Sequence, residues 1–399
     1  MAKNPHKERV LILGGGFAGV KAALGLCDDE RFDVILLSDS DELRYYPTLY
    51  HSATGGKRAN SSIPLSVIFD GKNITLAKGT ATRLIRKDKT VATAEGVAYE
   101  YDTLVIALGV VTNYFGIKGL EEYSYSIKTQ DAAERFKRHL HQQMVDEHRP
   151  DLHYVIVGAG PTGIELAGAL PAYLRHIMKQ HGIKHRAVHI DLIEAGPRLL
   201  PRLPKDTSRA VHKHLRKLGI RLYLNSVVQG ETADGLTVSG KSIRSHTVVW
   251  TAGVTNHPFF KDNGFVMIGR GKVATDIYLQ AEPGIYVLGD NANMPYSGLA
   301  QTALRDGEFV ARNLKRQASG WRPRSYAAKP PITVIPCGPH WAAVVWGKVR
   351  LYGWIGWALR EAADLIGFHD LEPWKKATKQ WYTEFTEEDE CPVCTAANP

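Results

Sequence analysis

The sequence predicts an α/β protein made of two Rossmann-like, doubly wound units and a small C-terminal segment. Three observations carry that prediction. An apolar strand, Val10-Leu11-Ile12-Leu13, runs into Gly14-Gly15-Gly16-Phe17-Ala18-Gly19. A second, Tyr154-Val155-Ile156-Val157, runs into Gly158-Ala159-Gly160-Pro161-Thr162-Gly163. Helical spacing follows each turn, and short apolar strands alternate with helices up to residue 317. In such a turn the first glycine permits the sharp reversal. The second lets backbone approach a pyrophosphate, and the third lets helix and strand pack closely.

Each element follows in order. Residues 9–40 read as strand, turn, helix and second strand, the last over 32–37. Pro47 restricts its neighbour, so 44–47 is expected to be irregular. Short strands are expected around 74–84 and 90–99, then a strand over 101–109 that ends in glycine. Helical spacing runs through 132–147. The second unit opens at His153, with a helix over 163–180, a strand over 188–193 ending at Glu194, and a helix over 207–218. A meander fits 222–238 and a strand fits 246–250, followed by Thr251-Ala252-Gly253. Residues 284–290 read as an apolar strand ending in Gly289-Asp290, and 300–317 as a helix. Pro330 and Pro331 open a different region. There, 341–346 and 349–352 read as a hairpin turned by Gly347-Lys348, and 353–365 and 374–382 as helices. Seven of the eight tryptophans fall after residue 320, concentrating the aromatic surface there.

Composition bounds the function. The chain has 399 residues, 44% hydrophobic and 23% charged, which is ordinary globular composition with room for two or three domains. Net charge is +9, which suits nucleotides and acidic lipids. The absence of a long Lys/Arg block argues against nucleic acid. The four cysteines suggest a reducing cytoplasm. Cys391-Pro-Val-Cys394 is a lone pair that cannot complete a four-ligand zinc site, so no metal is expected. No secretory signal is legible, because Val10–Leu13 is too short for a signal core. No run of ~20 apolar residues is present to span a bilayer.

Two such turns more than a hundred residues apart imply two dinucleotides, most economically a resident flavin and a visiting nicotinamide. Further motifs agree: Ala107-Leu108-Gly109, the extension of the second turn to Glu165, Thr275-Asp276 leading into Tyr286-Val287-Leu288-Gly289-Asp290, and Ala300-Gln301-x-Ala303. Together these resemble the two-dinucleotide-binding, glutathione-reductase-like flavoproteins, and among them the type II NADH dehydrogenases. The resemblance covers nearly the whole chain. It implies an FAD-dependent NADH:quinone oxidoreductase, with a quinone such as ubiquinone or menaquinone as acceptor. It implies an FAD domain over 1–118 and 272–325, an NAD(H) domain over 119–271, and a C-terminal segment over 326–399 for membrane or dimer contact. The cofactor-binding set is Gly14, Gly16, Phe17, Ala18, Gly19, Ser38, Asp39, Pro47, Ala107, Gly109, Gly158, Gly160, Pro161, Thr162, Gly163, Glu165, Glu194, Gly253, Gly289, Asp290, Ala300 and Gln301. Glu165, Gln301 and Arg305 are the residues assigned to the reaction itself.

The chemistry of these residue types fits the assignment, and alternatives stand beside it. Asp290 can accept a hydrogen bond from a ribityl chain, or be a turn aspartate. The helix from Ala300 can aim N–H groups at a reduced flavin ring, or be plain core. An acidic residue at Glu194 bonds ribose hydroxyls and repels a 2′-phosphate, favouring NADH over NADPH, though Arg198 lies nearby. Glu165 reads as a residue beside the nicotinamide or as a partner of the helix dipole.

The pattern departs from the family twice. The acidic residue expected after the second strand falls at Ser38, with Asp39 one step later and facing the other way along a strand. Arg305 stands where the family tends to place a second glutamine, at i+4 from Gln301. A cation there binds a quinone carbonyl, stabilises reduced flavin, blocks the quinone, or reaches a carboxylate elsewhere and matters little.

Trp346, Trp354, Ile355, Trp357 and Leu365 can form an interfacial face, with Lys348, Arg350 and Arg360 at headgroup level. The expected location is therefore peripheral, on the cytoplasmic side of the cell membrane. A homodimer interface is the competing use of the same tryptophans. The runner-up function is a soluble FAD- and NAD(P)H-dependent reductase with another acceptor. A sulfide:quinone-oxidoreductase-like enzyme is a further alternative, in which Cys337 approaches the flavin and Cys27 is core.

Overall fold

The computed structural model describes residues 7–146, 151–184 and 186–386. In chain order its main elements begin with β1 (Glu8–Leu13), α1 (Phe17–Leu26), β2 (Phe32–Ser38), β3 (Thr75–Lys78) and β4 (Thr103–Ile106). Next come α2 (Gln130–Val145), β5 (His153–Val157), α3 (Pro161–Gln180), β6 (His189–Ile193), α4 (Lys205–Lys217), β7 (Arg221–Tyr223) and β8 (Thr247–Trp250). Then follow β9 (Gln280–Glu282), β10 (Ile285–Val287), α5 (Ala300–Ala318), β11 (Thr333–Pro336), β12 (Ala342–Trp346) and β13 (Val349–Gly353). Two helices close the described chain, α6 (Trp354–His369) and α7 (Trp374–Thr386).

The chain divides into two compact units, one of Met1–Arg44, Ser62–Val111 and Val254–Pro331, the other of Tyr45–Ser61, Thr112–Gly253 and Ile332–Pro399. The first holds a six-stranded sheet in the order β9-β10-β4-β1-β2-β3. Every neighbouring pair is parallel except β9 with β10. Val10, Leu11, Ile12 and Leu13 are fully buried because both sheet faces are covered, which is why a parallel strand reads as an unbroken apolar run. On one face α1 packs against α5. Their approach needs small residues: a Cβ at Gly307 would overlap the Ala18 carbonyl and come within 2.9 Å of the Ala22 nitrogen.

The second unit holds a four-stranded parallel sheet in the order β7-β6-β5-β8. It also holds an antiparallel meander of Val228–Thr232, Gly235–Val238 and Lys241–Arg244. The meander expected from 222 onward starts later, because 221–223 pairs with β6 as the parallel strand β7. The strand over 284–290 is likewise shorter: β10 stops at Val287 and Gly289–Asn291 form a 3-10 turn, so Asp290 sits in the turn beyond the strand.

The expected hairpin is present as β12 and β13, with β11 completing a three-stranded antiparallel sheet. Trp341 stacks on His214 of α4 with centroids 4.2 Å apart and planes 7° apart. Helix α6 buries Gly356, Arg360, Asp364 and Phe368, one residue per turn. This corrects the expected placement of Arg360 at headgroup level. Arg360 is 6% exposed, and its guanidinium pairs with Asp364 and donates to the Pro47 carbonyl at 2.8 Å. The spacing of α6 puts it on the packed face, and the carboxylate partner makes burial tolerable. Cys391 and Cys394 lie outside the described residues.

Gly307→Ala is expected to lower stability by about 1–3 kcal/mol, since the new methyl must push α5 away from α1. A chemical denaturation curve beside the wild type measures it, and an unchanged midpoint would show that the helices tolerate the displacement.

Candidate functional site

Both glycine turns have the same local construction. Gly14 and Gly158 have φ of 108° and 106°, a region L side chains avoid. Each N–H donates at 2.8 Å to the last apolar residue of the neighbouring strand, Gly14 to Leu37 and Gly158 to Ile193. A Cβ at Gly19 would overlap the Gly14 carbonyl, and one at Gly163 would overlap the Gly158 carbonyl. The middle glycines differ from these four: a Cβ on Gly16 or Gly160 meets nothing within 4 Å. Glycine there leaves backbone open toward the space in front of each turn. Neither α1 nor α3 has a side-chain cap or an acidic residue in its first turn, so each helix N-terminus presents its partial positive charge at that space. Pro161 begins α3, where its missing N–H is not needed. Phe17 and Ala18 lie in the first turn of α1, and Thr162 in that of α3. This donor set suits a pyrophosphate at each turn.

The register identifies the residue at each second-strand end. Leu13 pairs with Leu37 and Val157 with Ile193, so Ser38 and Glu194 occupy equivalent positions. Glu194 binds its own turn: one carboxylate oxygen accepts the Ala159 N–H at 2.8 Å and the other accepts the Gly196 N–H at 2.7 Å. Ser38 is buried at the matching place in the first unit. Its Oγ lies so near Gly15 that a Cβ there would come within 2.7 Å. Asp39 points away into solvent, with Arg44 at 3.9 Å.

At the carboxyl edge of the first sheet, Ala107 and Gly109 follow β4, with Gly109 at φ 72°. Asn291, fully buried, clasps Gly109: its Oδ1 accepts the Gly109 N–H at 2.8 Å and its Nδ2 donates to the Gly109 carbonyl at 2.5 Å. Asp290 Oδ1 accepts the Gly298 N–H at 2.8 Å, and Lys272 donates to the Asp290 carbonyl. Ala300 and Gln301 begin α5 without a side-chain cap. Arg305 donates to the Lys329 carbonyl at 3.1 Å, so the cation of the i+4 pair holds the segment that follows α5.

The sequence reading missed Asp306. This carboxyl is fully buried on α5, takes the Gly289 N–H at 3.1 Å and the Tyr326 hydroxyl at 2.6 Å. Burial pushes its pKa up to about 6, against the pull of those two donors. An aspartate followed by glycine inside an apolar helical pattern was the available signal.

In the second unit Glu165 lies on α3 just past the turn, and burial raises its pKa to about 7, while Arg360 of α6 pulls it down. A carboxyl poised near neutrality is a common property of sites that handle protons. Cys337 follows β11, beside α3, and is fully buried, with its thiol pushed up by burial and by Glu165. Pro47 offers its carbonyl to Arg360, as described above. Gly253 follows β8 at φ 137°, and Thr251 Oγ1 donates to the Val157 and Gly158 carbonyls at 2.8 and 3.0 Å.

The family model for pyridine nucleotide-disulphide oxidoreductases matches residues 8–307. The chain belongs to that family. As an oxidoreductase of this family it resembles type II NADH:quinone oxidoreductases of Staphylococcus saprophyticus and Staphylococcus aureus. Each is 26% identical over 367 residues, spanning 86% of this chain and 90% of the relative. The solved structure of NDH2 from Plasmodium falciparum in complex with NADH superposes with a TM-score of 0.85 at 17% identity, covering 95% of this chain and 98% of that one. The sulfide:quinone oxidoreductase of Aquifex aeolicus superposes at 0.76 with 19% identity, covering 96% and 98%. These structures agree with an α/β fold of two dinucleotide-binding domains. Among the described residues the oxidoreductase has two cysteines, Cys27 and Cys337, both free and buried, one in each unit.

The raised pKa of Asp306 has a signed consequence. Between its unfolded value near 4 and about 6, the folded state binds the extra proton, so this group's contribution to stability falls as pH rises through that window. Asp306→Asn keeps an acceptor for Gly289 and removes the titration. The stability difference between variant and wild type should shift in the variant's favour by on the order of 2 kcal/mol from pH 4 to pH 7. Urea denaturation across that range measures it, and parallel pH curves would show that Asp306 does not titrate there.

Proposed function

We propose that this oxidoreductase is an FAD-dependent NADH:quinone oxidoreductase, with FAD held by the first unit and NADH by the second. The observation that carries the reading is the repeated turn, in which the middle glycines Gly16 and Gly160 leave open backbone before an uncapped helix. FAD, when bound, supplies the hydride acceptor for NADH and the two-electron donor for the quinone. The protein's part is to bind, orient and place charge.

Gly14, Gly16, Phe17, Ala18 and Gly19 would cradle the FAD pyrophosphate, with Ser38 in place of an acidic residue at the adenosine ribose. Asp290 would accept from the ribityl chain, and Asn291 and Asp306 hold its turn from both sides. Ala107 and Gly109 shape the same edge, and the α5 N-terminus at Ala300 and Gln301 would favour negative charge on the reduced ring. Gly158, Gly160, Pro161, Thr162 and Gly163 would take the NADH pyrophosphate. Glu194 would accept the adenosine ribose hydroxyls with its remaining lone pairs. Glu165, near neutrality, would sit beside the nicotinamide, and Gln301 and Arg305 would shape the acceptor side. The comparison with NADH:quinone oxidoreductases supports NADH as donor and a ubiquinone- or menaquinone-like acceptor.

The quinone reading is tested by anaerobic NADH addition to the flavin-loaded enzyme, then reoxidation by a short-chain quinone. Wild type should bleach and recover. Gly160→Ala should fold normally, because its methyl meets no protein atom, yet bind NADH about 10- to 100-fold more weakly through lost pyrophosphate contact. Arg305→Gln should alter only the reoxidation step. Flavin that does not bleach with NADH would overturn the assignment.

The second unit also carries an apolar surface suited to a membrane. Trp346 and Val349 of the hairpin and Trp354, Ile355, Leu359 and Ile366 of α6 are exposed, and α6 keeps its own four apart from its buried residues. Each fully buried large side chain offers roughly 1.5–3 kcal/mol, enough for a few to anchor the protein reversibly. No helix among the described residues is long and apolar enough to cross a membrane; the proposed attachment is peripheral, on the cytoplasmic side. A homodimer through the same aromatics is compatible with it. Flotation with anionic liposomes should be lost in a Trp354→Glu, Ile355→Glu variant; flotation that persists would place the membrane contact elsewhere.

A further inference from the structure

Phe115 stands in the left-handed backbone region, at φ 53°, and is 62% exposed. An L residue held there is strained, and leaving a phenyl ring in water adds to the cost. The surrounding chain enforces the arrangement. The Phe115 N–H donates to Asn113 Oδ1 at 2.8 Å. The Asn113 N–H donates to the Gly253 carbonyl at 3.2 Å, and the Asn113 carbonyl accepts from Trp250 Nε1 at 2.9 Å. The Phe115 ring lies so close over Gly253 that a Cβ there would come within 2.6 Å of Cε2. It meets Trp250 edge-on, with centroids 6.4 Å apart. Side-chain and backbone contacts therefore combine to hold an aromatic ring outward at the carboxyl end of β8. Strain kept at the ligand edge of a parallel sheet points to a ligand.

The sheet order says which part of the ligand. Glu194 ends β6 and marks the adenosine side of β5. Strand β8 lies on the other side of β5, and Gly158 approaches it closely: a Cβ on Gly158 would come within 2.7 Å of the Ala252 Cα. A dinucleotide whose pyrophosphate meets Gly158–Gly163 would place its nicotinamide riboside half toward β8. We propose that Phe115 is the stacking platform for the nicotinamide riboside half of the dinucleotide, and that Gly253 is glycine so that the ring can sit there. The inference rests on the assignment of NADH to the second unit.

Calorimetric titration of the flavin-loaded full chain with NAD and with ADP-ribose, which lacks the nicotinamide, tests it. Phe115→Ala should weaken NAD about 3- to 10-fold, the size of an aromatic stacking contact, and leave ADP-ribose within about twofold. Phe115→Tyr should retain NAD affinity. Phe115→Gly, which relieves the backbone strain while removing the ring, should show the same split as Phe115→Ala and so separates stacking from misfolding. Equal weakening of both ligands, or no weakening of NAD in either truncation, overturns the platform while leaving the NADH assignment standing. A wild-type protein that binds neither ligand overturns both.

Discussion

Everything at the ligand edge of each unit depends on one close approach. The Cα of Gly19 lies against the Gly14 carbonyl, and that of Gly163 against the Gly158 carbonyl. No side chain larger than hydrogen fits between them. That contact draws the helix start back onto the end of its own strand. It thereby aims the first helical N–H groups outward over the carboxyl edge of the sheet, where a ligand phosphate can complete them. The neighbouring strand-end residues then inherit their roles from position. Ser38 and Glu194 face the turns because registers Leu13↔Leu37 and Val157↔Ile193 put them there.

Around this frame several buried polar groups hold turns. Asn291 satisfies both polar atoms of the Gly109 backbone. Asp306 ties Gly289 to Tyr326. Glu194 ties Ala159 to Gly196. Each fixes a loop that precedes or follows a glycine with positive φ, where backbone freedom is otherwise greatest. The same economy explains the chain after α5. Residues 321–331 carry no regular structure, yet Arg316, Asn313, Asp306 and Arg305 bind them along the helix through the Arg322, Arg324 and Lys329 carbonyls and the Tyr326 hydroxyl. Arg305 is one of those ties.

The C-terminal helix α6 shows how charge and apolar surface are sorted. Its packed face holds an Arg360–Asp364 pair over the Pro47 carbonyl, and its outer face holds Trp354, Ile355, Leu359 and Ile366. A charged pair inside and an apolar stripe outside invert the usual order of a soluble amphipathic helix. That inversion is the physical ground of the proposed lipid contact.

The glycine turns, the strands behind them and the helices after them were legible from residue type alone. Local sterics decide them: only glycine tolerates φ near 107° at Gly14 and Gly158, and only strand-length apolar runs are buried on both faces. The hairpin around Gly347 and the helix from Ala300 were legible for the same local reason. Other features needed tertiary partners. Arg360 reads as a surface cation until α6 is docked on the 45–61 segment. Strand β7 reads as part of a meander until β6 supplies its parallel neighbour. Asp306 gains meaning only when the Gly289 turn meets α5, and Phe115 only when Asn113 and Gly253 hold it over the end of β8. In each case the deciding bond joins residues far apart in the chain, and periodicity and propensity carry no record of such pairs.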